Sequence, residues 1–445
     1  MAPLFFIFAA IKTYIMKTFS NFLVLFLFLI STSIFAQLTV NAELRTRAEL
    51  NHGFMTLPTE SAEAALFVSQ RSRLNFKYND EKFNSYFSIQ DVRFWGENDI
   101  ATKTGISINT KGFGISEAWF DWKFSKNWAL KTGRQIWNYD DARLLSHRNW
   151  NQFGLAYDAF LLHFDKEDFQ FHLGSSINNT WISFDKTSFN PNSPYEEPLG
   201  YRIKYFNFLW MKFHASKNYS ISLSEYVANY LAPNTSSTLY TLATTAIHLN
   251  YHSDKTKVLA NIFYQYGNKS SSQKESAYML TISGKHKLMA IEIGAGFEYI
   301  SGDGENTMAF DNMYGARSKY NGKMNYYLIP KSTKNGGLID LNANIKWSIN
   351  KHHSIGAAFH NFWLETAIYK QMVGMDYSYL DKNLGSELDL NYTYKYSKVF
   401  NIQAFFAYYF ATETTEFVKG VDRGTSTSPY WASIMLTFKP NLYSK

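Results

Sequence analysis

The chain has 445 residues, 44 Lys+Arg against 37 Asp+Glu for a formal charge of +7, and no cysteine. The missing thiols exclude a disulfide scaffold, thiol chemistry and Cys-type metal sites, and the scattered basic residues exclude a nucleic-acid arm. Aromatics are abundant (31 Tyr, 38 Phe and 11 Trp, 18% of residues), yet no apolar run after residue 36 approaches the ~20 residues of a membrane-spanning helix.

In chain order, residues 1–36 read as an export signal. "NFLVLFLFLI" (21–30) is its apolar core, "STSIFAQ" offers cleavage after Ala36, and Met16-Lys17 is a sufficient start. Removing this segment takes away Lys12 and Lys17 and leaves a mature charge of about +5 on a single domain, 37–445.

The remainder is a series of roughly ten-residue segments of alternating polarity separated by Asn/Asp/Gly/Ser/Lys turns. They fall at 38–50, 65–78, 83–95, 115–124, 128–137, 155–165, 168–177, 203–216, 219–229, 242–253, 256–266, 276–286, 289–300, 338–348, 353–363, 384–396, 400–410 and 429–438, with 439–445 as a short tail. Eighteen strands is an even number. Tight links such as "NDEK" (79–82) alternate with long loops at 96–114, 138–154, 178–202, 230–241, 301–337, 364–383 and 411–428. That is the pattern of an all-β, antiparallel transmembrane barrel of the bacterial outer membrane, with short periplasmic turns and long extracellular loops. Closure satisfies every backbone group in lipid, which an open sheet cannot do. A soluble β-sandwich or β-helix explains neither the alternation of link lengths nor the aromatics near strand ends.

Strand parity assigns faces. In "AELRTRAEL" (42–50), Ala42, Leu44, Ala48 and Leu50 oppose Glu43, Arg45, Arg47 and Glu49. An arginine facing lipid costs ~2–4 kcal/mol near the midplane, so Arg45 and Arg47 are expected in the lumen. "QRSRLNFKY" places Arg71 and Arg73 likewise, and "ELDLNYTYK" turns Glu387 and Asp389 inward. Nine of eleven arginines precede residue 210, which predicts an Arg-rich wall. Two readings of that wall stand side by side: cross-strand pairing that holds the barrel together, or selection of carboxylated solutes by guanidinium forks.

Residues 131–164, "KTGRQIWNYDDARLLSHRNWNQFGLAYDAFLLHF", resemble the alginate export family of outer-membrane barrels at Gly133, Arg134, Gln135, Asp141, Arg143, Leu144, Trp150, Tyr157, Asp158 and Ala159. "AFDNMYGARSKYNGKMNYY" (309–327) and "LGSELDLNYTYKYSK" (384–398) are similar to two further segments of that family. The resemblance implies an electropositive constriction passing an anionic polysaccharide such as alginate. Arg134 and Arg143 become constriction candidates by motif, and Arg71, Arg73 and Arg93 by strand position. Asp158 joins the path by its place in the motif. Phe310, Tyr314, Lys319, Tyr320 and Lys323 mark loop 301–337 as a gate that folds inward or over the mouth. "YDDAR" carries an extra residue, and Asn325 stands where the family has Asp.

No hydrolase, zinc-protease or P-loop motif is present. "GDGEN" (302–306) with Asp311 offers oxygens for Ca²⁺ without the full ligand spacing, so no cofactor is expected. The expected partners are outer-membrane lipid, its insertion machinery, and a small anionic solute or an anionic oligo- or polysaccharide, with no nucleic acid. The alternative is a non-conducting structural or interaction barrel.

Overall fold

The computed structural model describes residues 37–95, 112–178, 202–232, 238–270, 273–304, 308–328, 330–371 and 377–444. The expected export signal, 1–36, lies outside them, as do most of loops 96–114 and 178–202. The described residues contain no helix long and apolar enough to cross a membrane.

Fifteen strands run antiparallel in chain order: β1 (Gln37–His52), β2 (Ala65–Asn79), β3 (Phe83–Phe94), β4 (Phe113–Lys123), β5 (Trp128–Gln135), β6 (Tyr157–Asp165), β7 (Phe169–Ile177), β8 (Arg202–His214), β9 (Tyr219–Leu231), β10 (Leu239–His252), β11 (Thr256–Ser270), β12 (Gln273–Leu288), β13 (Ile291–Ile300), β14 (Leu338–Ser348) and β15 (His353–Trp363). They continue through β16 (Asn383–Lys395), β17 (Phe400–Phe410) and β18, made of Tyr430–Phe438 and Asn441–Ser444. β18 pairs with β1 and closes an eighteen-stranded barrel, the sequence expectation strand for strand. The tail differs from expectation. Pro440 lacks an N–H and breaks the ladder, but its carbonyl accepts from Ala42 N at 3.1 Å, and Asn441–Ser444 resume pairing with β1.

Alternation sorts the faces. On β1, Glu43, Arg45, Arg47 and Glu49 are buried while Leu44 is 43% exposed. Phe87, Phe120, Phe160, Ile282 and Ile345 are exposed in the same way on other strands and form the lipid-facing band. The barrel's core is therefore inside it. One cluster joins Phe206, Phe208 and Trp210 of β8 and Tyr226 of β9 to Trp137, Leu144 and Leu145 of the β5–β6 loop and to Phe310 and Met313 of the β13–β14 loop. A second joins Tyr326 and Tyr327 of that loop to Phe362, Tyr409, Trp431 and Phe54. Two long loops thus fold inward, both contributing to the first cluster and the β13–β14 loop also to the second.

Candidate permeation site

β1 and β2 pair in a register that sets Arg45 opposite Arg71 and Glu43 opposite Arg73. Two guanidinium groups facing each other across adjacent strands repel unless something electronegative lies between them. The β5–β6 loop supplies it. Arg45 donates to Gln152 Oε1 (2.9 Å), Asn149 O (2.7 Å) and Asn151 O (2.9 Å). Arg47 donates to Trp150 O (3.0 Å) and Glu49 (2.7 Å), with its guanidinium 4.4 Å from the centre of the Trp150 ring. Arg71 is paired with Glu43 and donates to Asn151 O and Gln152 O, and Arg73 donates to Phe153 O and Gln90. The four arginines hold one loop segment by its carbonyls.

The other end of this loop is fixed by acids and amides. Asp140 accepts from Trp210 Nε1 (2.9 Å) and the Ser222 hydroxyl (2.7 Å), and Asp141 accepts from Asn261 Nδ2 (2.9 Å). Arg143 pairs with Glu298 of β13 and with Asp141, and its guanidinium stacks 3.8 Å from the centre of the Tyr320 ring. Loop 138–154 therefore spans the lumen from the arginine wall to β13.

The β13–β14 loop lies on it. Its short helix α1 (Arg317–Tyr320) brings Lys319 Nζ (2.9 Å) and the Tyr320 hydroxyl to Asp141 O. Asn321 contacts Glu298 and Asp340, and Met324 N donates to Glu387 at 2.7 Å. The five residues marked in this loop come together on the lumen: Phe310 is buried in the first cluster with Tyr314 packed against it, Lys319 and Tyr320 sit on loop 138–154, and Lys323 lines the channel.

Between loops and wall lies a cavity of about 570 Å³ whose lining includes Arg45, Arg47, Arg148, Lys319 and Lys323 against only Glu49 and Asp140 as acids. His147, also in the lining, reports the local field. Burial and then the positive charges of Lys319, Arg71 and Arg73 push its imidazole below the ordinary value.

Other sequence candidates lie elsewhere. Arg134 and Asp158 face outward near the loop rim, paired at 2.7 Å and 45% and 65% exposed. Parity is the cause: Gln135 and Tyr157 beside them are buried on the lumen side, so the intervening positions point away from it. Gly133, at φ +114°, admits the close approach of Ala118 O, which a Cβ would block. Arg93 is likewise outward, paired with Asp91 at 2.5 Å, because Val92 and Phe94 take the lumen. The outward placement of Arg93, Arg134 and Asp158 departs from the constriction expected for them. Glu387 and Asp389 do face the lumen, close to Asp340 and His360 on neighbouring strands.

The acids proposed for Ca²⁺ are directed to donors. Asp303 accepts from Ala309 N and Asn335 Nδ2, and Asp311 from Met313 N and Lys269, while 305–306 lie outside the described residues.

Residues 36–416 match the family model for alginate export. Pseudomonas aeruginosa OccK9 (OpdG) is similar in fold, with TM-score 0.61 at 11% identity over 91% of this chain and 98% of that one. Acinetobacter baumannii OccAB4 has TM-score 0.60 at 9% identity over 92% and 98%. P. aeruginosa OpdK with vanillate has TM-score 0.59 at 9% identity over 92% and 99%. No curated protein matches the chain. Closed topology, inward loops and the family match together place the chain in the alginate export family, as a channel barrel of the bacterial outer membrane.

Proposed function

We propose that the barrel is an anion-preferring channel for carboxylated sugars or an anionic oligo- or polysaccharide, with loops 138–154 and 301–337 as its constriction and gate. The observation that carries this reading is the cavity lined by Arg45, Arg47, Arg148, Lys319 and Lys323. Cations held in a low-dielectric wall attract an anion more strongly than they would in water. Passage, as opposed to storage, needs several weak contacts in sequence, and the five cationic side chains spread over the cavity lining supply them. Asn325, which lines the cavity at φ +58°, adopts a conformation that Asn and Asp both tolerate. With Asn in place of the family's Asp, one negative charge is absent and the lining is more basic. Assembly by the outer-membrane insertion machinery belongs to the same proposal.

Packing of the lumen by two aromatic clusters supports the second reading, a loop-plugged barrel used through its exterior. Liposome swelling separates them. The channel reading expects glucuronate to enter faster than glucose at equal concentration. Equal rates contradict the anion preference, and no swelling with either supports the plugged barrel.

A further inference from the structure

At the short-turn end of the lumen, away from the basic cavity, β6 and β7 set His163 directly opposite His172, with Asp165 two residues beyond on the same face. One ring nitrogen from each of His163 and His172 and a carboxylate oxygen of Asp165 all lie within 4.8 Å of one another. Asp165 Oδ2 is 2.6 Å from His163 Nδ1, and Oδ1 is 3.2 Å from His172 Nε2. These side chains are open to solvent, at 17% (His163), 42% (Asp165) and 16% (His172) exposure.

The second nitrogen of each imidazole is already occupied. His163 Nε2 lies 3.0 Å from Asp121 of β4, and His172 Nδ1 lies 2.8 Å from the Tyr139 hydroxyl. Gln170 Nε2 also donates to Asp165, at 2.8 Å. Ligating histidines in metal sites are held in this way, with the far ring nitrogen tied to a carboxylate or another polar group so that tautomer and ring plane are set.

We propose that His163, Asp165 and His172 form a binding site for a divalent transition-metal ion of the zinc class, oriented by Asp121 and Tyr139. Two imidazoles and one carboxylate suit Zn²⁺, Ni²⁺ or Cu²⁺, whereas Ca²⁺ and Mg²⁺ take oxygen ligands. An ion about 2.0–2.2 Å from each donor needs the donor atoms roughly 3.3 Å apart, so small rotations of two imidazoles and one carboxylate complete the site. The fourth position opens to water in the lumen. Tyr139 lies next to Asp140, which is tied to Trp210 and Ser222, so the ion is linked mechanically to the root of the constriction loop. The site is independent of the anion preference proposed above, and either holds without the other.

The competing explanation is a metal-free network in which Asp165 simply bridges two imidazolium rings. The test is calorimetric titration of the full-length refolded barrel, freed of metal by a chelator, with Zn²⁺ alone. Refolding of each variant is checked by its heat-dependent gel mobility. The expected result is one saturable site per chain, weakened at least tenfold by either His163→Gln or His172→Gln. Asp121→Asn, which leaves every ligand in place, is expected to weaken it about 10–100-fold through loss of the orienting carboxylate. Absence of saturable binding, or binding that survives both histidine substitutions unchanged, overturns the proposal.

Discussion

The Arg45→Ser/Arg47→Ser variant is expected to conduct several-fold more than the native channel and to lose most of its anion preference. Both effects have one cause. Arg45 and Arg47 bind the carbonyls of Asn149, Trp150 and Asn151 and the Gln152 side chain, and both also face the cavity. A hydrogen bond to a charged group contributes about 1.5–3 kcal/mol, and every 1.4 kcal/mol is roughly a tenfold change in population. Losing both forks therefore loosens segment 149–152, which Arg71 still holds at Asn151 and Gln152, while also removing two positive charges from the lining. Single-channel recording reads both quantities. Arg93→Ser and Arg134→Ser serve as controls: both residues point outward, and neither is expected to change conductance or selectivity. A double variant with unaltered ion preference would mean that the arginines only hold the loop.

The second large effect is expected at Arg143. Its pair with Glu298 joins loop 138–154 to β13, both side chains are at least nine-tenths buried, and Tyr320 covers the guanidinium. Removing one partner of a buried pair costs about 3–5 kcal/mol, because the other charge stays behind without compensation. Arg143→Ala should therefore expose the loop to chymotrypsin at Tyr139 or Trp150, where the native barrel resists. Arg143→Ala/Glu298→Gln should recover much of that resistance, since the stranded charge is gone. If single and double variants are cut at the same rate, the pair is not what fixes the loop.

The barrel was legible because its physics is periodic. Alternating polarity and the cost of charge in lipid locate the strands, and parity alone turns Arg45, Arg47, Arg71 and Arg73 inward. Strand ends were less legible. β11 and β12 extend to Ser270 and from Gln273, and β18 resumes beyond Pro440, because pairing continues wherever a partner strand is available. Motif carry-over failed for Arg134, where the local alternation decides the face. The main-chain partners of the arginines, the carbonyls of residues 149–153, left no trace in the sequence, whereas the acidic partners Glu43 and Glu49 share the inward parity of β1. Glu298, the far anchor of the loop, sits in an ordinary alternating strand, and only the three-dimensional crossing of loop 138–154 singles it out. His163 and His172 are nine residues apart, and only the β6–β7 register brings them together.

Selection of anions by the basic lining is tested most directly by the reversal potential of the native barrel in a planar bilayer under a KCl gradient. Anion preference gives a potential displaced toward the chloride equilibrium value. A potential displaced toward the potassium value, or no conductance at all, would contradict it.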